Sequence, residues 1–308
     1  MATTIVPGPI AVPAAEEEFH IERHGVWKRF RRHRLALLGG LVIVAITLVA
    51  IFAKLLPLQD PNFIDQVNWT GYPLAPGVAG HLLGSDENGR DLLARLIYGA
   101  QISLTVAVAA VFMELAIGTV VGAISGYYGG WIDYTLMRIT DVFLSIPLLP
   151  LLLVLTAIVA ASSNKAALSF GVIVVIIGGT SWPAVARLVR ASFLSLREKE
   201  FCEAARALGN RDGRIIFRHL LPNAVAPLIV QGTLEIANVI ILESTLSFLG
   251  FGIQPPTASW GNMLANAESN MAIAPWVAIF PGLCILVTVL AINYLGDGLR
   301  DALDPNMR

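Results

Sequence analysis

The chain has 308 residues, 56% hydrophobic and 14% charged, with 21 Lys and Arg against 22 Asp and Glu. Soluble domains carry roughly 25% charged residues, and a mean hydropathy of +0.69 leaves more apolar surface than a water-soluble globule can hide. The composition excludes an ordinary soluble enzyme and, with only 2 cysteines, a secreted disulfide scaffold, and it reads as an integral membrane protein.

In chain order, residues 1–34 form an N-terminal segment ending in the basic stretch RHGVWKRFRRHR. Residues 1–19 hold Glu16, Glu17 and Glu18 and no basic residue, so the pattern predicts no cleavable signal peptide and an uncleaved first span. A bilayer crossing needs about 20 apolar residues in helical form. Six stretches qualify: 35–56, 97–125, 140–161, 166–186, 224–250 and 272–296. Glu114 lies in the second, Pro147 and Pro150 in the third, and Glu235 and Glu243 in the fifth. The expected organisation is a first transmembrane helix, an extracytoplasmic loop over 57–96, a five-helix core over 97–296 with a long charged loop at 198–223, and a short C-terminus from 297 to 308.

Orientation follows from the basic residues. With the N-terminus inside, only Lys54, Arg90, Arg95 and Lys165 of the 21 Lys and Arg fall outside, leaving 17 within the cytoplasm. Both termini are then cytoplasmic. Cys202 falls in a cytoplasmic loop and Cys284 in the sixth span, so the two are not expected to pair.

The charged loop reads EAARALGNRDGRIIFRHLLPN over 203–223. Glu203 to Leu208 are good helix formers, and Gly209 stands where a helix C-cap falls. A second short helix starting near Asp212 is expected to stop before Pro222. Glu203 and Arg206 are spaced for an intrahelical pair. On these grounds alone the segment is either an amphipathic inter-span helix with solvated charges or a knob against which another surface packs, Ala204, Ala205 and Ala207 permitting close approach.

The order of residues in this loop resembles the EAA loop of ABC importer permeases: Glu203, Ala204, Ala205, Gly209, Leu221 and Pro222, with His219 at a position usually apolar. Three further segments resemble the dipeptide/oligopeptide/nickel branch of that family, the C-type subunit (DppC/OppC-like) in particular: LGSDENGRDLLARLIYGAQISL (83–104), SFLGFGIQPPTASWG (247–261) and GDGLRDALDP (296–305). The resemblance implies an all-α, six-span, type I (MetI-like) permease with a peripheral first helix in the bacterial inner membrane. It implies a loop that couples to ATPase subunits through Glu203, Ala204, Ala205, Gly209, His219, Leu221 and Pro222. It also implies partners: a homologous second permease, two ATP-binding subunits that carry the ATP and Mg, and an extracytoplasmic solute-binding protein. No cofactor, metal or nucleic acid is expected on this chain. The implied cargo is a dipeptide or oligopeptide, with nickel, glutathione or opine-type solutes as alternatives.

The segments also have readings of their own. In 83–104 the turn residues lead to an amphipathic helix over Asp91–Ala100, which either lies on the outer surface or carries the chain into the second span; Asp86, Gly89, Arg90 and Asp91 are candidates for contact with the binding protein. Gln254-Pro255-Pro256 cannot continue a helix, and Trp260 is expected to anchor at the membrane interface. Gly296 and Gly298 are expected to end the sixth span, with Asp297, Arg300, Asp301 and Asp304 forming a charged end.

Intramembrane carboxylates count as functional by default. Glu235 and Glu243 stand about 80° apart around a helix, so both could border one cavity as pore lining, or bridge spans by hydrogen bonds, as could Glu114. A proton-coupled secondary transporter would use these groups as relays and is the alternative from another class. The chain contains no Gly-Lys pair and hence no Walker A loop, nor a GxSxG or HExxH motif, so an ATP-driven cycle requires a separate ATPase and the chain itself is not expected to be an enzyme.

Overall fold

Lipid offers no hydrogen-bond partner to an open backbone, so the apolar stretches close into helices. The computed structural model describes residues 23–162 and 169–303; the N-terminal acidic run, Lys165, the start of the expected fourth span, and Asp304 to Arg308 lie outside the described residues. The helices are α1 (Arg23–Phe30), α2 (Arg34–Ile51), α3 (Leu92–Tyr128), α4 (Gly130–Ser145), α5 (Leu148–Ser162), α6 (Phe170–Arg197), α7 (Glu200–Ala207), α8 (Asp212–Ile215), α9 (Leu221–Phe248), α10 (Trp260–Ala267) and α11 (Trp276–Leu303).

Among the described residues, five units are long and apolar enough to cross a membrane: α2, α3, α6, the run Asp212–Phe248 and α11. The expected third span is not a straight helix. It is the pair α4 and α5, bent by 86°. Pro147 disfavours helical geometry in the residue before it, and Ile146 is accordingly extended, at φ −90 and ψ 126. The stretch expected as an inner loop at 126–139 is therefore largely helical.

The second span is longer than expected. Asp91 caps α3 through Oδ2, which accepts from the Ala94 amide at 2.8 Å, and the helix then runs unbroken for 37 residues, about 55 Å. Residues 91–100 are thus the first turns of the span and not a separate surface helix. Gly296 and Gly298 also depart from expectation: they lie inside α11, which continues to Leu303. A Cβ on Gly296 would stand 2.7 Å from Leu234 Cδ2, and Gly298 abuts Ala36. These glycines let α9 and α2 approach α11, and continuous backbone hydrogen bonding outweighs their weak helix propensity.

The tightest seam joins α3 to α6. A Cβ on Gly118 would meet Val185 Cβ at 2.6 Å, one on Gly122 would meet Val189 Cβ at 2.7 Å, and one on Gly126 would meet Phe193 Cβ at 2.7 Å. Three glycines spaced four apart give α3 a bare face on which α6 lies directly. Trp260 is not an interfacial anchor. It is 1% exposed, its Nε1 donates to the Leu96 carbonyl at 3.0 Å, and it pins α10 to α3. A reciprocal Ser259–Asn262 capping box starts α10.

Candidate coupling and translocation sites

The charged loop folds as a knob at the end of the bundle where α3 and α6 finish and α9 begins. Two hydrogen bonds close α7, from the Gly209 amide to the Arg206 carbonyl (2.9 Å) and from the Asn210 amide to the Ala205 carbonyl (3.1 Å). With Gly209 at φ +74, these form a Schellman cap. The expected stop before Pro222 does not occur: α8 passes through one π-helical turn, Ile216–Leu220, into α9, with Leu221 and Pro222 in its first turn. The Leu221 amide bonds back to the Ile216 carbonyl across the π turn, and Pro222, which has no amide to donate, enters α9 directly after it.

Within the knob, Cys202 and Ala205 turn inward with Ile215, Leu220 and Phe193. Burial pushes the Cys202 thiol up, consistent with an unreactive core position, and both cysteines are free. Ala205 is thus part of the knob's own core, while Glu203, Ala204, Ala207, Leu208 and Gly209 face out and His219 is half-buried. Leu208 and Phe217, which the sequence reading did not single out, are 83% and 72% exposed. In the sequence Leu208 follows Ala207 and Phe217 ends the apolar run Ile215-Ile216-Phe217, so nothing marks either as exposed until the knob is folded. Arg206 does not pair with Glu203; its guanidinium lies 5.8 Å from the Tyr127 ring centroid.

Ionic contacts brace the knob's base. Arg190 grips Asp133 with two hydrogen bonds, at 2.5 and 2.6 Å, and Ser125 donates to the same carboxylate at 2.5 Å. Arg197 Nη1 donates to the Gly126 carbonyl at 3.1 Å. The ends of α3, α4 and α6 are joined by this set, and bidentate pairing fixes its geometry.

At the opposite end of α3, residues 57–91 form a loop with a charged interior. Asp86 Oδ2 lies 2.7 Å from Arg90 Nε and 3.2 Å from Arg95 Nε; Asp86 Oδ1 accepts from the Asn88 and Arg90 amides, each at 2.9 Å. His81 lies 2.8 Å from Asp91 Oδ1 and 3.5 Å from Asp65 Oδ2. Hydrogen bonding from Asn68 holds the Asp65 carboxyl below the usual carboxylate range, while burial raises that of Glu87. Gly89, at φ +76, presses against Trp69. The candidates Asp86, Gly89, Arg90 and Asp91 are all buried, and they shape the loop from within while Leu82 and Asn88 are exposed.

The intramembrane carboxylates separate. Glu243 is fully buried, accepts from Ser247 Oγ at 2.7 Å and from Ser103 Oγ at 3.3 Å, and so bridges α9 and α3. Ser103 Oγ also accepts from the Trp260 amide at 3.2 Å. Glu235 is half-buried, with Gln231 and Asn238 donating to it. Glu114 is buried with no hydrogen-bond partner on either oxygen. Glu235 and Glu243 therefore do not border one cavity: Glu243 is enclosed by helices, and only Glu235 reaches a surface.

Residues 118–308 match the family described as the binding-protein-dependent transport system inner membrane component, and residues 23–76 match the N-terminal TM domain of oligopeptide transport permease C. The chain belongs to this family of ABC importer permeases. It is 42% identical to the dipeptide transport system permease protein DppC of Alkalihalophilus pseudofirmus, across 92% of this chain and 89% of that one. It is 43% identical to the glutathione transport system permease protein GsiD of Escherichia coli, across 92% and 91%. A chain of the MetNI methionine ABC transporter, solved in an inward-facing conformation, shares the fold at a TM-score of 0.56 with 20% identity, covering 69% of this chain and 98% of that one.

The protein is therefore a multi-pass, all-α transport subunit of the DppC/OppC type and not an enzyme, and the secondary-transporter reading gives way. A permease of this kind works with a partner permease, an ATPase and a binding protein. The α3–α6 seam and the Arg190–Asp133 pair join the ends of α3, α4 and α6 beside the knob.

Proposed function

We propose that this permease imports short peptides, lying in the inner membrane with both termini in the cytoplasm. A homologous second permease supplies the other half of the pore, two ATP-binding subunits dock on the knob, and an extracytoplasmic binding protein delivers cargo to the far end. The observation that carries this reading is the pair Leu208 and Phe217, exposed on a rigid knob around Gly209, on the side of the membrane where the basic residues gather. Large apolar side chains left at a protein surface are the kind of anchor that a partner buries. Glu203, Ala204 and Gly209 complete that face, while Ala205, Leu221 and Pro222 set its shape, with His219 at its edge.

Closure of the ATP-loaded subunits moves the knob, and the braced ends of α3 and α6 carry that movement into the spans as a rigid-body tilt between inward-open and outward-open states. At the other end, the buried Asp86, Gly89, Arg90 and Asp91 hold Leu82 and Asn88 in place for the binding protein. ATP and Mg belong to the partner subunits. Peptide cargo is favoured because the relatives matched over most of the chain are named for dipeptides and for glutathione, itself a small peptide.

Reconstituted vesicles provide the test. Labelled dipeptide should accumulate only with the binding protein, the ATPases and ATP together. Leu208→Asp and Phe217→Asp should each release the ATPases during co-purification without loss of the permease from the membrane. Accumulation by the two permeases alone under an imposed proton gradient would overturn the reading.

A further inference from the structure

Glu235 stands at the midpoint of the 28-residue α9, about 20 Å of helix from either end. Gln231 Nε2 donates to its Oε1 at 2.7 Å and Asn238 Nδ2 to its Oε2 at 3.1 Å. Asn238 is exposed, and Gln231 and Glu235 are half-buried. A carboxylate with two amides is costly against hydrocarbon, so this edge of α9 faces protein or water. Behind it lies Glu114 of α3, 1% exposed, with both oxygens unpartnered. The helices touch at this level: a Cβ on Gly232 would lie 2.8 Å from Leu115 Cδ1.

Among the described residues, no ion pair reaches either carboxyl. The amide hydrogens of Gln231 and Asn238 are directed at Glu235, which leaves their oxygens outward. Among the described residues the site therefore holds two carboxyls and two side-chain amides and no basic group. Such a set repels anions and fits a compact cation with several N–H groups.

We infer that Gln231, Glu235 and Asn238, with Glu114 behind them, form a mid-membrane station on the pore wall for the ammonium group of a passing solute. The inference rests on the reading that the permease imports peptides, whose free amino terminus supplies that group. Glu235 receives the ammonium, and the two amides hold its carboxylate in place.

The test uses the assembled transporter with Cys202→Ala and Cys284→Ala, carrying Asn238→Cys, treated with cationic and anionic methanethiosulfonate reagents of similar size. The cationic reagent should react at least tenfold faster, and Glu235→Gln should remove most of that preference. Gln231→Cys gives a second vantage if the first variant does not assemble. Failure of both cysteines to react, or equal rates for the two reagents, would overturn the station. In vesicles, Glu235→Gln should lower uptake of a free-amine dipeptide at least fivefold, with binding-protein-stimulated ATP hydrolysis kept within twofold; unchanged uptake would also overturn it. If the unsubstituted transporter takes up no dipeptide, the peptide reading fails by itself, and the thiol reaction still decides whether a cation-attracting site opens to the pore.

Discussion

Tyr127, one residue from the end of α3, donates its phenolic hydrogen to Asp212 Oδ1 at 2.8 Å. Asp212 is the first residue of α8, so this bond joins the end of α3 to the knob across 85 positions of sequence. The ring is capped on another side by Arg206. Tyr127 thus contacts both α7 and α8 from the end of α3.

Tyr127→Phe keeps the ring and removes the bond. A hydrogen bond at a partly exposed carboxylate is worth about 1 kcal/mol, so the variant should fold and melt only a few degrees lower. Its effect should appear in coupling: less peptide imported per ATP hydrolysed in vesicles. A wild-type ratio would show that the bond carries no movement.

The bare glycine face of α3 makes a sharper stability prediction. Gly122→Ala puts a methyl group against Val189 and the α6 backbone, and overpacking of this kind costs about 1–3 kcal/mol. The thermal midpoint in detergent should fall, whereas Gly171→Ala, which meets no neighbouring atom, should be silent.

Glu243 holds the turn after α9 by way of serines. Ser247 donates to it and accepts from the Ile253 amide at 3.2 Å, and Ser103 links it to the Trp260 amide. Glu243→Ala leaves buried hydroxyls unpaired, at about 1–3 kcal/mol. Protease cleavage within 249–259 should become faster, and Glu243→Gln, which keeps an acceptor oxygen, should largely restore protection.

The outer loop has a pH signature. Burial raises the Glu87 carboxyl above its ordinary range. A group whose folded value is raised favours folding when protonated, and that contribution fades as pH climbs through the folded value. Glu87→Gln should therefore slow amide exchange across 80–95 relative to wild type at pH 7, and the two should converge at pH 4. A constant difference across this range would assign the effect to lost contacts instead of charge.

Hydropathy was enough to specify a helical membrane chain and where its apolar stretches lie, because each span must satisfy its own backbone and apolar length reports that need directly. The order of residues around Glu203 and Gly209 likewise pointed to the family. Sequence did not reveal that Pro147 splits the third span by 86°, that Gly296 and Gly298 remain inside α11, or that Pro222 opens a helix, because proline and glycine take their meaning from the neighbours they meet. Nor did it separate the acidic residues. Asp86, Arg90 and Asp91 proved to be buried braces, Glu243 a bridge between helices, and Glu235 the carboxylate at a surface. Each is an acid or base of ordinary type in the chain; its role depends on which helix lies opposite, and only tertiary packing decides that.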